Sequence, residues 1–224
     1  PFLMIRRPPR STLEWNRRQR QMCIRDSNVR EDIEREKLGE LRTVFEKSER
    51  GTLTAANSTP MTDGAAAVLL ASEDWARQRG LPILAYLTHY KTSANNFVAG
   101  EGLLMAPTIA VSEVLRQADL SLQDFDFYEI HEAFAAQVLA TLKAWNDAEY
   151  CARHLGRNAP LGEIDRWRMN VKGSSIAVGH PFAATGARVA GNMAKLLAEK
   201  GSGRGLISIC TAGGMGVAAI MEAA

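Results

Sequence analysis

From Asp63 onward, short apolar runs trade places with longer stretches of helical period. Ala65–Ala71, Ile83–Tyr90, Phe125–Ile130, Leu206–Ile209 and Val217–Met221 are short and apolar, as strands buried in a sheet would be. Ser72 is placed to cap a helix running to Arg79, with Glu73 and Asp74 in its first turn and Gly80 just past its end. Pro107 suits a first helical turn, and Val111, Val114, Leu115 and Ala118 follow as an i, i+3, i+4, i+7 stripe. Glu132–Trp145 reads as a second long helix, with Phe134, Val138 and Leu142 on one face. Ala183–Lys200 reads as a third, stopped by Gly201. Lys91–Ala106 reads as a loop, and Asp147–Arg168 as a polar, irregular surface insertion. Apolar strands alternating with longer helices predict an α/β layered fold in which helices cover a sheet.

Upstream of Asp63 the pattern lapses. Asn28–Arg50 is charged and reads as irregular or partly helical. Gly51–Pro60 is small and hydroxylated, which suits either a plain loop or a backbone that a polar ligand approaches closely. Pro1–Ser27 has neither period. Its seven arginines against Glu14 and Asp26 leave +5, so the other 197 residues carry −3 of the net +2. A basic arm for nucleic acid or a transit peptide would be the functional readings. The stretch instead resembles translated adapter sequence and is set aside as a non-native leader. The organisation is then a leader over 1–27, a loop region and domain entry over 28–62, and the domain itself over 63–224.

Composition adds little to that picture. With 46% hydrophobic and 23% charged residues, the chain has the balance of a globular protein. No apolar run approaches the roughly 20 residues of a membrane span, so none is expected. Cys23, Cys151 and Cys210 are too widely spaced for a zinc signature or a disulfide framework, which points to a reducing cytoplasm.

Three positions could carry chemistry. His131 falls at a strand-to-helix junction, where ligands gather in open α/β sheets, though a histidine there could also simply cap the helix. Glu132 could orient a neighbouring imidazole or complement the helix dipole. His180 lies between Gly179 and Pro181, a pair that presents a side chain rigidly, and its imidazole could donate to a carbonyl oxygen or take a thiol proton. Cys210 ends an apolar run before Ala212-Gly213-Gly214, whose backbone N–H groups could stabilise an oxyanion. A small buried cysteine in a tight turn is the plainer reading of that position. No Gly-x-Gly-x-x-Gly follows a strand, and no Walker lysine motif is present. His89 and His154 lack metal-ligand spacing, and Cys151 has no assigned role.

Taken jointly, the motifs say more. Asn57-Ser-Thr-Pro-Met-Thr-Asp63-Gly64-Ala-Ala-Ala, His131-Glu-Ala-Phe, Gly173-Ser-Ser-Ile-Ala-Val-Gly179-His-Pro and Cys210-Thr-Ala-Gly-Gly resemble, in order and separation, the C-terminal half of a thiolase. The resemblance runs from about Gly51 to the end. It implies a layered α-β-α fold made of two similar halves, of which this is the second half only. It implies reversible Claisen chemistry on acyl-CoA, with a CoA thioester as substrate and no cofactor or metal. A cysteine of the first half would be acylated. His180 would activate that nucleophile and share an oxyanion site that His131 completes. Cys210 would take the α-proton of acetyl-CoA or return it, beside the oxyanion backbone expected at Ala212 and Gly213. Ala55 and Thr59 match positions lining the pantetheine channel, and Met105 and Phe134 would line the pocket.

Most thiolases have Asn where this chain has His131. The histidine resembles the β-subunit type of fatty-acid trifunctional complexes. That favours 3-ketoacyl-CoA cleavage in β-oxidation, a homo-oligomeric full-length protein and a hydratase/dehydrogenase partner subunit, with no nucleic acid or transmembrane segment. No family motif surrounds Cys23, so the chain is expected to be a fragment, inactive alone. The alternative is a non-catalytic acyl-CoA or lipid-binding module of the same fold. Keeping His131, His180 and Cys210 together favours the enzyme, and these three are expected to converge in one cleft.

Overall fold

Four strands form one sheet in the order β1-β4-β3-β2: β1 (Ala85–Ala94), β2 (Phe127–Ile130), β3 (Arg204–Thr211) and β4 (Met215–Ala223). The computed structural model describes residues 34–224; the stretch 1–27 expected to be a leader, with Cys23, and the beginning of the region 28–62 lie outside the described residues. Seven helices accompany the sheet among those residues: α1 (Arg35–Gly39), α2 (Glu73–Gln78), α3 (Ala106–Ala118), α4 (Ala135–Asn146), α5 (Ala148–Leu155), α6 (Ser175–Val178) and α7 (Thr185–Lys200). β4 runs antiparallel to both β1 and β3, while β2 is parallel to β3. The β2–β3 connection is therefore a crossover, which brings the carboxyl ends of both strands to the same edge of the sheet.

Alternate residues of each strand bury opposite faces. Leu206, Ala218 and Ile220 join Tyr128 and Ile130 in a core with Val111, Val114 and Leu115 of α3, and with Trp145, Cys151 and Leu155 of the adjoining helices. Ile207, Ala219 and Met221 face the other way, onto Val189, Met193 and Leu197 of α7. The result is an α-β-α layering, as the run of apolar strands predicts. Gly216 lets the layers close near the site: a Cβ there would lie 2.4 Å from the Pro107 nitrogen and 2.7 Å from the Ala106 carbonyl carbon.

Four expectations need correction. Ala65–Ala71 is not a strand. Among the described residues it has no neighbouring strand to share its backbone hydrogen bonds, and Leu69 and Leu70 are exposed. Lys91–Ala106 is not all loop, because β1 continues through Ala94 along β4 before a 3₁₀ turn at Phe97–Ala99. Asp147–Arg168 is not an irregular insertion. Asp147 caps α5 through its side chain, Gly156 ends that helix in the left-handed region, and Cys151 and Leu155 reach the core. The helix read from Glu132 starts instead at Ala135, because Phe134 is extended.

Candidate active site

The segments that follow β2 and β3 meet at one edge of the sheet. His131 continues β2 as its backbone N–H donates to the Ser208 carbonyl at 2.9 Å. Two residues beyond Ser208 on β3 stands Cys210, opposite Gly216 of β4. The chain from Asn57 to Pro60 fastens these parts together. Thr59 N–H donates to the Ala133 carbonyl at 3.0 Å, Ala135 N–H to the Asn57 carbonyl at 2.9 Å, and His180 N–H to the Pro60 carbonyl at 3.0 Å. Gly179 makes this possible with a φ of +91°, where a Cβ would come within 2.4 Å of Thr62.

The structure brings His131 and His180 ring to ring, their centroids 4.2 Å apart. Phe182 flanks the other side of His180 at 4.7 Å. Nδ1 of His131 lies 2.7 Å from Ser175 Oγ, which accepts from Arg188 Nη2 at 3.2 Å. Nδ1 of His180 lies 2.6 Å from Thr185 Oγ1, which in turn reaches the Pro181 carbonyl at 3.2 Å.

Burial sets the charge state of each group. His131 is almost fully buried and is held down at about 4, chiefly by desolvation, then by His180 and Arg188. His180 is lowered by burial and by Arg188. Burial pushes the Cys210 thiol up to about 11, although the backbone N–H groups of Cys210 and Ala133 favour its thiolate. At neutral pH His131 is therefore a neutral buried imidazole and Cys210 a protonated thiol. Beneath the site, Glu129 has both carboxylate oxygens buried without partners among the described residues, and desolvation raises it to about 7.

The remaining expected residues fall unevenly. Thr59 and Phe134 belong to segments next to the histidines, joined by a bridge between Ser58 and Phe134; the Thr59 hydroxyl is buried without a partner among the described residues. Met105 is half-buried at the start of α3, whose next two residues pack on Gly216. Ala55 is exposed, in the turn that Thr54 and Asn57 close, and is not brought to the histidines. Ala212 and Gly213 are exposed in the β3–β4 turn. Glu132 does not orient an imidazole; its carboxylate accepts from Asn170 Nδ2 at 2.8 Å and from Ile176 N–H at 3.1 Å. Asn170 also brackets Ile130, accepting from its N–H at 2.8 Å and donating to its carbonyl at 2.9 Å, much as a neighbouring strand would.

Sequence reasoning missed Ser175, Thr185, Arg188 and Asn170. Ser175 lies inside a motif quoted for its glycines and histidine, and Thr185 and Arg188 fall on the helix after it, where periodicity marks packing alone. Among the described residues, no cluster of three or more His, Cys, Asp or Glu is placed to hold a metal ion. A groove of about 550 Å³ beside α4, lined by Leu139, Leu142 and Ile164, includes none of the site residues.

Comparison with known proteins matches residues 81–223 to the family model described as thiolase, C-terminal domain, and residues 12–74 to the one described as thiolase, N-terminal domain. A 3-ketoacyl-CoA thiolase of a Shewanella species is 44% identical over 203 residues, which are 91% of this chain and 46% of the relative. The Bacillus anthracis acetyl-CoA acetyltransferase superposes with a TM-score of 0.74 at 36% identity, over 89% of this chain and 45% of that one. Human mitochondrial 3-ketoacyl-CoA thiolase in complex with CoA gives a TM-score of 0.72 at 32% identity, over 89% and 45%. The chain thus spans about half the length of the relatives it matches.

Proposed function

Because the chain belongs to the thiolase family, we propose that it supplies the acid–base and oxyanion groups for reversible thiolytic cleavage of a 3-ketoacyl-CoA. The observation that carries this reading is the pairing of two imidazoles at 4.2 Å at the edge of the sheet where β3 ends in a buried thiol held protonated.

In cleavage, a nucleophilic cysteine from the other half of the fold gives its proton to His180 and adds to the C3 carbonyl, whose oxygen gains negative charge. On this reading His131, and His180 once it holds the thiol proton, would donate to that oxyanion. The C2–C3 bond then breaks, and its electron pair stays on C2 of the departing acetyl-CoA. The Cys210 thiol gives its proton to that carbon. A pKa near 11 keeps the proton on sulfur until a carbanion forms, which is what a general acid for carbon requires. The incoming CoA thiol gives its proton to the Cys210 thiolate as it attacks the acyl-cysteine, and the departing cysteine takes back the proton held by His180, which resets the site. Splitting the reaction through an acyl-enzyme avoids a direct encounter of two bulky thioesters. The Ala212 and Gly213 amides would bind the oxyanion of the second step. Thr59, Phe134, Met105 and Ala55 would line the path of the pantetheine and acyl chain.

On this reading the chemistry uses a CoA thioester as substrate and no resident cofactor. The full-length protein is a homo-oligomer of β-oxidation, partnered by a hydratase/dehydrogenase subunit, as its histidine at 131 suggests. The free thiols of Cys151 and Cys210 fit the reducing cytoplasm. Among the described residues, no helix is long and apolar enough to cross a membrane.

The test is acetyl-CoA release from a 3-ketoacyl-CoA and CoA, by the chain alone and after a first half bearing the cysteine is supplied. Release is expected only in the second case. Robust release by the chain alone would sink the proposal. A supplied first half that acylates but never yields acetyl-CoA would instead favour a binding module.

A further inference from the structure

His131 and His180 each hold a hydroxyl at Nδ1, but the two hydroxyls are backed by opposite partners. Ser175 Oγ lies 2.7 Å from His131 Nδ1 and 3.2 Å from Arg188 Nη2. A guanidinium carries only N–H donors, so the Ser175 oxygen must accept from Arg188. If His131 also donated from Nδ1, the seryl hydrogen would have no acceptor among the described residues, inside a site where Ser175 itself is fully buried. The satisfied arrangement sends the seryl hydrogen to Nδ1. Thr185 Oγ1 lies 2.6 Å from His180 Nδ1 and 3.2 Å from the Pro181 carbonyl. The Pro181 carbonyl, which also accepts from the Ala184 and Thr185 N–H groups, lies in donor geometry for the Thr185 hydroxyl; with the threonyl hydrogen directed there, the Thr185 oxygen is left to accept from the imidazole.

We infer that Ser175, oriented by Arg188, and Thr185 are positioning residues that hold the two neighbouring histidines in opposite tautomers, His131 with its proton on Nε2 and His180 with its proton on Nδ1. His131 then offers Nε2–H as a fixed hydrogen-bond donor, and His180 offers an Nε2 lone pair as a base. Each role needs a neutral ring, and burial keeps His131 neutral at pH 7. Giving these nitrogens the work of oxyanion donor and nucleophile activator rests on the thiolase function proposed above; the tautomers themselves do not.

The experiment is a long-range ¹H–¹⁵N correlation spectrum of the histidine-labelled 224-residue chain at pH 7, which reports the protonated nitrogen of each ring directly. The four histidines make assignment tractable, with His131→Asn and His180→Asn identifying the two of interest. The wild-type chain is expected to place the proton on Nε2 of His131 and on Nδ1 of His180, each preferred by about tenfold, as one neutral hydrogen bond allows. Ser175→Ala should erase the preference at His131 alone, and Ser175→Thr should restore it. Arg188→Met should weaken it with Ser175 still present. A wild-type spectrum with the proton on Nδ1 of His131 or on Nε2 of His180 overturns the inference, whether or not the variants fold. An unchanged His131 tautomer in folded Ser175→Ala overturns the part given to Ser175. No substrate enters this measurement. Inactivity after a first half bearing the cysteine is supplied, with these tautomers in place, would count against the thiolase reading alone, and activity there with reversed tautomers against this inference alone.

Discussion

Burial does different work on each titratable group of the site. It holds His131 at about 4 and the Cys210 thiol at about 11, so both stay neutral across the physiological range. Site-resolved alkylation by iodoacetamide should therefore find Cys210 slow: from its pKa alone, its thiolate at pH 8 is rarer by roughly a hundredfold than that of an unperturbed thiol. A rate matching a free peptide thiol would contradict the environment assigned to it. Glu129 is the group that burial strains. Its folded pKa, about 7, lies above the ordinary 4.5, so the folded state binds its proton more tightly than the unfolded one. Stability from this group is fully present below about pH 4.5 and is lost as pH rises through 7. Glu129→Gln should leave stability unchanged below pH 4.5 and raise it above pH 7, by on the order of 3 kcal/mol if the full shift is expressed. Denaturant melts at the two extremes measure this, and a variant less stable than wild type at pH 8 would refute it.

The elements divide by whether this chain holds their partners. β3 and β4 are paired along their lengths and covered on both faces, and Trp145 and Phe125 are fully enclosed beside them. Trp145→Ala should cost about 3–5 kcal/mol in denaturant unfolding. Gly216→Ala should cost about 1–3 kcal/mol, because its methyl meets the backbone of α3 rather than a side chain that can move. Leu70→Ala, on the unpaired Ala65–Ala71 run, should stay within about 0.5 kcal/mol. A costly Leu70→Ala would mean that run is packed after all. The same division explains what was legible in the sequence. Helices α2, α3 and α7 and strands β3 and β4 were readable because caps, stripes and apolar runs are local signals. Ala65–Ala71 carries the composition of a strand, but a strand exists only with a neighbour, which composition does not record. α5 was missed because its buried face is only Cys151 and Leu155 in a charged stretch. At the site, His131, His180 and Cys210 stood out by their turns and by joint resemblance. Ser175 and Arg188 act through one hydroxyl contact 13 residues apart in sequence, which no periodicity marks.

At the scale of the molecule, two observations meet. The chain covers 46% of the Shewanella relative, and its exposed apolar residues include Met61, Leu69, Leu70 and Phe182, around the strip that fastens His180. The account makes this chain the acid–base side of a site whose nucleophile lies on another half. General acid–base catalysis contributes about 10²–10⁴-fold, short of most whole-enzyme accelerations, so the parts should be separable by experiment. The most direct measurement is the mass of the first-half cysteine in a protein where that half is joined to this chain carrying Cys210→Ala, after exposure to acyl-CoA, alongside its turnover of 3-ketoacyl-CoA. The account predicts an acylated cysteine and no acetyl-CoA release. Turnover that survives Cys210→Ala would contradict it.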